Sequence, residues 1–252
     1  LAQLVIGAGQ TLLQTAVNPY VVKIGPEDTA AVRISIMGIL NKTAGVVAPL
    51  VFTALIVSGF TAPVGTVLNA EQIDAMAASL VLPYLGLAVF LALLALAVKY
   101  SPLPELEKES DTGTGIDQLK AVLAKPALVL GVLSLFVYVA VEVIAGDTIG
   151  LFALSLGVER YTVMTSYTMA CMVLGYILGI VLIPRVLSQQ KALAVSAVLG
   201  LALTLAIVLG DSSSYLIANT LLVPFGGTAL PDTLLFIAIL GLANAIGWPA
   251  VW

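Results

Sequence analysis

Two acidic residues, Glu142 and Asp147, lie inside an apolar run that is long enough to cross a membrane. A carboxylate at the centre of a bilayer costs about 2.5–3.5 kcal/mol, so such residues normally face a wet cavity or a partner. Burial disfavours the charged form of a carboxyl, which lets it take up and release a proton near neutral pH. We predict that both residues take part in proton coupling or bind the ligand. A protonated acid that only bonds to a neighbouring helix is the alternative.

A row of amides follows one side of the first apolar run. Gln3, Gln10, Gln14 and Asn18 recur at spacings of seven, four and four residues, which places them on one face of a helix. Amides both donate and accept hydrogen bonds, as a ligand with many hydroxyl groups requires. We predict that Gln10, Gln14 and Asn18 line a wet cavity for such a ligand, while hydrogen bonding between helices is the alternative.

The last apolar run repeats one feature of the first. Asn244 lies five residues before Pro249, just as Gln14 lies five residues before Pro19, and a proline kinks or ends a membrane helix. The two runs are six spans apart, which is the spacing expected of two parallel six-helix repeats. The match indicates that the chain contains parts of both repeats.

Aromatic and polar side chains elsewhere could complete a sugar site. Tyr138 lies four residues before Glu142, on the same face of a helix, where its ring could stack on a pyranose. Trp248 could do the same, although an aromatic residue near a span end more often belongs to the interfacial belt. Asn41 could line the cavity. We expect Lys42 to extend its charge to the cytoplasmic interface.

The composition is that of a membrane protein. Of 252 residues, 60% are hydrophobic and 10% are charged, whereas soluble domains carry about 25% charged residues. The chain has no histidine and a single cysteine, Cys171, so catalysis by histidine, an intrachain disulfide and a Cys/His metal site are excluded. The net charge of −4, with 10 basic residues, argues against a nucleic-acid partner.

Seven apolar runs have the length of about 20 residues that a spanning helix needs. They are Leu1–Val22, Ile34–Phe60, Leu80–Lys99, Ala127–Leu156, Thr162–Leu187, Ala192–Gly210 and Thr233–Trp252. Lysine and arginine are concentrated in the first, third and fifth connecting loops, and basic loops stay on the cytoplasmic side. The first span therefore runs from the outside to the cytoplasm.

The third loop, Tyr100–Lys125, is polar, and its end, IDQLKAVL, has the pattern of a short amphipathic helix. We predict that it is a cytoplasmic linker between two bundles. Residues 1–99 would form the end of an N-terminal six-helix bundle with three helices, and residues 126–252 the start of a C-terminal bundle with four. Because the chain begins and stops inside apolar runs, we expect it to be a fragment of a longer protein.

Three segments resemble the fucose and glucose/galactose symporter branch of the major facilitator superfamily. They are GAGQTLLQTAVNPYVVKIGPEDTAAVRISIMGILNKTAGVVAPLVF, FVYVAVEVIAGDTIG and GLANAIGWP, which are similar to the fourth and fifth, seventh and tenth helices of that branch. The resemblance implies an all-α membrane fold of twelve helices, of which this chain would hold helices four to ten. It also implies a sugar site near the midplane between two bundles.

The resemblance assigns individual residues as well. Gln14 stands where fucose members have an acidic, proton-linked residue, and as an amide it cannot titrate. Asn41 and Asn244 match amides that the family uses for sugar binding. Glu142 and Asp147 are then the membrane acids of this chain that could couple an ion.

These observations predict a hexose symporter for glucose, galactose or fucose that works by alternating access. It would be a monomeric multi-pass protein of the bacterial inner membrane, with no enzymatic activity and no cofactor, coupled to protons or, as the alternative, to sodium. A transporter of the same fold for another solute is the main alternative. A seven-helix receptor lacks support because a retinal protein needs a lysine in its last span. An intramembrane aspartyl protease lacks support as well, because it needs two membrane aspartates, the second in a Gly-x-Gly-Asp setting. Here Asp147 is the one aspartate inside a predicted span, and Ile144 takes the first Gly position.

Overall fold

The structure is a computed structural model that describes residues 2–55, 69–104, 115–183 and 185–251. Within these ranges the chain is almost entirely helical, which confirms the predicted all-α class. The helices are α1 (Ala2–Lys23), α2 (Ala30–Leu55), α3 (Ala70–Lys99), α4 (Gly115–Leu123), α5 (Pro126–Ser155), α6 (Met164–Leu182), α7 (Gln189–Leu209), α8 (Leu216–Leu222) and α9 (Asp232–Val251).

Six of the described helices are long and apolar enough to cross a membrane, namely α2, α3, α5, α6, α7 and α9. The first predicted span coincides with α1, which is helical over 22 residues but does not belong to this set. Its amides explain the difference, because Gln10, Gln14 and Asn18 lower the mean hydropathy of a helix that otherwise has a suitable length. The predicted short helix in the linker is confirmed as α4.

The largest boundary error among the described helices lies at the start of α3, where a polar turn begins the helix, and one further helix was not predicted. α3 begins at Ala70, ten residues before the predicted Leu80, where Asn69 and Gln72 exchange side-chain to backbone hydrogen bonds of 2.8 and 3.0 Å. This capping box satisfies N–H groups that have no partner inside the helix. The loop before α9 contains a further helix, α8, that the sequence analysis did not predict. The predicted linker falls partly on residues 105–114, which lie outside the described ranges.

The first helix does not end at Pro19 but continues to Lys23. Arg33, from the beginning of α2, donates hydrogen bonds of 2.8 and 2.6 Å to the carbonyl oxygens of Val21 and Val22. It donates further hydrogen bonds to the carbonyl oxygens of Gly25 and Pro26. A guanidinium at a helix C-terminus complements both the unpaired carbonyls and the negative end of the helix dipole. Arg33 therefore fixes α1 against α2 at the predicted cytoplasmic end.

The centre of the fold is α9, which packs between α6 and α7 and also contacts α5 and α2. Ala243 and Leu234 of α9 are almost completely buried. The helix α2 runs along α6 in the antiparallel sense, since Gly38 lies against Tyr176 and the later Gly45 lies against Met169. By contrast, α3 has no buried residue among those described.

The loop on the outer side of α9 is held by Asp232. Its carboxylate is 4% exposed and accepts hydrogen bonds from the Ser214 hydroxyl at 2.6 Å and from the Ala218 N–H at 2.7 Å. The Ala218 N–H belongs to the first turn of α8 and has no acceptor within that helix. Asp232 therefore ties α8 to the start of α9.

We expect Asp232→Ala to destabilise the full-length protein by about 1–3 kcal/mol, because it leaves the Ser214 hydroxyl and the Ala218 N–H without their acceptor. Thermal unfolding in detergent measures this change. Asp211→Ala is the matched control. Hydrogen bonds from the Ser213 side chain and N–H lower the pKa of Asp211, but this carboxylate is exposed, so water can replace it as their acceptor. Equal unfolding temperatures for the two variants would contradict the structural role of Asp232.

Candidate functional site

An ion pair joins two apolar helices near the middle of their lengths. The Lys42 ammonium on α2 lies 2.5 Å from a carboxylate oxygen of Glu142 on α5. Both side chains are largely shielded, with 16% and 14% of their surfaces exposed. Placing two charges in an apolar region costs desolvation free energy, and removing one partner destabilises the protein because the other charge is left unpaired. The ion pair is therefore a candidate functional site.

The depth of the pair follows from the helix lengths. Lys42 lies twelve residues from the start of α2 and thirteen from its end, or about 18 Å from either end. Glu142 lies thirteen residues from the end of α5, whose length is 30 residues. A lysine side chain cannot bridge 18 Å to the cytoplasmic interface. The prediction that Lys42 extends to that interface was wrong, because the observed α2 begins four residues before the predicted span and Glu142 supplies a nearer partner.

The pair joins α2 and α5, which both pack against α6 and α9, and we call the region between α2 and α5 around the pair the groove. On the outer side, Met169 of α6 lies against both Gly45 of α2 and Gly146 of α5. On the inner side, the ring of Tyr176 lies against Gly38. The glycines flank Lys42 and Glu142 at intervals of three or four residues, so they share the faces of the charged residues. The ion pair is thus one polar layer between two layers of close packing.

Aromatic rings line the same groove. The rings of Tyr138 and Trp248 are stacked with their centroids 5.7 Å apart and an angle of 24° between their planes. The Tyr138 hydroxyl donates a hydrogen bond to the main-chain carbonyl oxygen of Asn244. Tyr138 lies one turn before Glu142 on the same face of α5, and Tyr176 of α6 lies against Gly38, one turn before Lys42 on α2. Trp248 is therefore packed within the protein, not in an interfacial belt.

Asn244 contributes a buried amide. The residue is 8% exposed, and its side-chain nitrogen has no hydrogen-bond partner among the residues that the structure describes. Leaving a buried N–H group without an acceptor costs about 1–3 kcal/mol of stability. Such a group therefore normally binds a ligand or an ordered water. The unpaired donor lies beside the Tyr138–Trp248 stack.

The structure brings Glu142, Tyr138 and Asn244 together, but it places the other predicted site residues elsewhere. Gln10 and Gln14 are exposed on α1, whereas Asn18 on the same face is buried. Asn41 is exposed and precedes Lys42 by one residue, which turns it away from the pair by about 100°. Asp147 is exposed and lies about 140° around α5 from Glu142. The side chain of Gln3 is outside the described part of the structure.

A cavity in the described ranges lies at the predicted cytoplasmic end of the helices and not beside the ion pair. It has a volume of about 400 Å³. Its lining includes Glu27, Asp28, Ser35, Gly179 and Gln189. These residues come from the turn before α2, the first part of α2, the end of α6 and the start of α7. The cavity therefore separates the cytoplasmic ends of these helices and does not enclose the ion pair.

Sequence reasoning missed Lys42, Met169 and Tyr176. One local signal could have identified the lysine: Gly38, Lys42 and Gly45 recur at positions i, i+4 and i+7, on one face of a helix. A lysine flanked by glycines on a packed face cannot extend along its own helix toward water. The aromatic and sulfur-containing residues of α6 carry no such signal, because their spacing is also that of any apolar helix face.

Comparison with known proteins gives several relatives, although no family model matches the chain. A Helicobacter pylori protein, provisionally named a glucose/galactose transporter, is 33% identical over 96% of this chain and 58% of its own length. The L-fucose-proton symporter of Escherichia coli is 29% identical over 95% of this chain and 57% of its own length. The glucose/galactose transporter of Brucella abortus is 34% identical over 58% of this chain.

A solved structure agrees with these sequence relatives. The crystal structure of the fucose:proton symporter of E. coli superposes with a TM-score of 0.70 at 22% sequence identity, over 98% of this chain and 59% of that structure. The chain therefore spans a little more than half the length of the proteins that it matches. The predicted fold is confirmed, and these relatives support the predicted family. The chain is a multi-pass integral membrane protein that is similar to the fucose and glucose/galactose branch of the major facilitator superfamily.

Proposed function

We propose that this chain forms the central part of a secondary active transporter that moves a hexose together with a proton. The observation that carries the proposal is the Lys42–Glu142 ion pair, which lies beside a stacked aromatic pair and an unpaired buried amide. Relatives named for glucose, galactose and fucose support a sugar substrate, and the name of the fucose symporter supports the proton.

The sugar side of the proposal rests on Tyr138, Trp248 and Asn244. Aromatic faces provide apolar contact for the C–H groups of a pyranose ring, while amides and hydroxyls bind its hydroxyl groups. The Asn244 side-chain nitrogen is a donor that a sugar hydroxyl would satisfy. Gln10, Gln14 and Asn41 remain proposed binding residues, since the faces that they expose here are ones that further helices of a longer transporter can cover. Asn18 also remains a proposed binding residue, with a buried amide on the same helix as Gln14.

The proton side rests on Glu142. The carboxylate is shielded, faces a cation and lies near the middle of the membrane, where a change of protonation alters the electrostatic energy of the groove most strongly. Asp147 lies on another face of α5 and has more exposure, so we assign the coupling role to Glu142 first. Sodium is the alternative coupling ion.

Alternating access would involve the contact between α2 and α6. In our proposal, residues 1–99 and 126–252 belong to two different bundles, joined by a linker over residues 100–125. The Ser166 hydroxyl of α6 donates a hydrogen bond of 2.8 Å to the Val46 carbonyl oxygen of α2, so the two proposed bundles meet closely here. The protein would act as a monomer in the bacterial plasma membrane.

Uptake of labelled hexoses into proteoliposomes that contain the full-length protein tests this function. We expect glucose, galactose or fucose to accumulate when the outside is acidic, and only to equilibrate when the pH gradient is collapsed. Accumulation that follows a sodium gradient instead would replace the proton in the proposal. Transport of an unrelated solute without any hexose uptake would overturn it.

Asn244→Ala should raise the Michaelis constant for the hexose by about tenfold, because one good hydrogen bond to a sugar hydroxyl is worth about 1–1.5 kcal/mol. The rate of exchange at saturating sugar should change little. Asn219→Ala is the matched control, because that amide lies on α8 in the outer loop and is exposed. Equal Michaelis constants for the two variants would remove Asn244 from the site.

A further inference from the structure

We infer that Lys42 is a conditional sugar-binding residue: its ammonium is held by ionised Glu142 and becomes available to a sugar hydroxyl when Glu142 is protonated. This inference rests on the proposed proton-coupled hexose transport and assigns the residue that links the two ligands. The inference starts from the ion pair, in which the Lys42 nitrogen lies 2.5 Å from a carboxylate oxygen of Glu142. At that distance the ammonium donates a charge-assisted hydrogen bond to the carboxylate.

The charge balance of the groove gives the physical reason. With Glu142 ionised, the pair is neutral overall and each charge satisfies the other. A proton on Glu142 leaves Lys42 as an uncompensated charge that is 84% shielded from water, which is unfavourable unless another acceptor approaches. A hexose supplies several hydroxyl oxygens with free lone pairs. Protonation therefore raises the affinity for the sugar, and by thermodynamic reciprocity the sugar raises the affinity for the proton.

The neighbouring helices supply no competing charge among the described residues. Tyr138 of α5 and Tyr176 of α6 are the titratable groups that face Glu142, and both are phenols that stay neutral across the physiological range. The charged residue of α9, Asp232, caps α8 at the outer end of the bundle. On α2 itself, Arg33 is engaged by backbone carbonyls at the opposite, cytoplasmic end. On α5, Asp147 lies on an exposed face about 140° around the helix from Glu142. The charge state of the groove thus depends on Lys42 and Glu142.

The sugar-binding groups of our proposal lie one helical turn from the ion pair. Tyr138 precedes Glu142 by four residues on the same face of α5, which is about 6 Å along the helix. Its ring stacks with Trp248, and its hydroxyl donates a hydrogen bond to the Asn244 main chain. In our inference, the ammonium that is freed from Glu142 binds a hydroxyl of a pyranose held by these residues.

The test is binding of labelled glucose, galactose and fucose to the purified full-length protein at acidic and alkaline pH. Wild type should bind about tenfold more tightly at acidic pH, which is a typical coupling between linked sites. Glu142→Gln should bind tightly at both values of pH, because its lysine is always available. Lys42→Met should bind weakly at both. The double variant should bind as weakly as Lys42→Met, since without the ammonium the state of residue 142 no longer matters.

Two controls separate this result from damage to the fold. Lys42→Arg keeps a cation and should retain pH-dependent binding, whereas Lys99→Met removes an exposed lysine at the end of α3 and should behave as wild type. The double variant replaces both charges by neutral side chains, so it should fold even if Lys42→Met alone does not.

An infrared band of a protonated carboxyl, measured without sugar, should be stronger in Lys42→Met than in wild type at neutral pH.

The possible outcomes are distinguishable. If wild type binds no hexose at any pH, both the proposed function and this inference fail. If wild type binds a hexose with pH dependence and Lys42→Met keeps that same dependence, the transport function stands and the role of Lys42 is overturned. Tight binding by the double variant would also overturn it, because the sugar would then not need the ammonium.

Discussion

Glu142→Gln should abolish proton-driven accumulation of the hexose and leave sugar exchange at a rate comparable to that of wild type. For each proton carried per sugar, one unit of pH gradient supports about a tenfold accumulation, and the neutral amide cannot carry that proton. The isosteric side chain keeps the shape of the groove. It also leaves Lys42 free, so sugar can still bind and cross. The measurements are accumulation under an imposed pH gradient and exchange of labelled for unlabelled hexose without one.

Asp147→Asn is the matched control for this prediction. It removes a carboxylate from the same helix, five residues further along, on an exposed face that lies away from Lys42. We expect it to retain accumulation. If Asp147→Asn loses accumulation and Glu142→Gln keeps it, the coupling role belongs to Asp147 and the importance assigned to the ion pair is wrong.

Gly38→Leu should abolish both accumulation and exchange. A β-carbon added at Gly38 would lie 2.5 Å from the Tyr176 ring, and this ring is 3% exposed and cannot move aside without disturbing Met172 and Ala245. Overpacking of this kind costs about 1–3 kcal/mol and would force α2 away from α6. Because these helices belong to the two proposed bundles, we expect the transport cycle to stop even where the protein still folds. Transport assays together with thermal unfolding measure the two effects.

The control for this variant is Gly86→Leu on α3, where an added β-carbon meets no other atom within 4 Å. It should transport as wild type does. A Gly38→Leu/Tyr176→Ala double variant should recover exchange, because removal of the ring provides space for the new side chain. Unchanged transport by Gly38→Leu alone would show that the close crossing of α2 and α6 is not needed for the cycle.

Much of the fold could be predicted from the sequence because a bilayer imposes one simple rule on it. Backbone groups in hydrocarbon must be satisfied within a helix, so apolar runs of sufficient length predicted α2, α3, α5, α6, α7 and α9 in the correct order. The errors lie where polar residues begin a helix, as at Asn69 before α3. A capping box is a local hydrogen-bond pattern that hydropathy does not register.

The site was predictable only in part, for a related reason. Glu142 is conspicuous because an acid within an apolar run is costly wherever its partner lies, and Tyr138 follows from helical spacing on the same face. Lys42 is one hundred residues away in the chain, and its pairing with Glu142 depends on how α2 and α5 lie over α6 and α9. Nothing in the local spacing encodes that arrangement. The burial of Asn244 is likewise a property of α9 as the central helix.

The account depends on the sugar binding in the groove that holds the Lys42–Glu142 pair, and a photoreactive hexose tests this most directly. The full-length protein would be labelled at acidic pH, digested, and its modified residues identified by mass spectrometry. We expect labels on α5 around Tyr138 and Glu142 and on α9 around Asn244 and Trp248, and competition by the unmodified sugar should remove them. Labels confined to α1, around Gln10 and Gln14, with none on α5 or α9, would contradict the account.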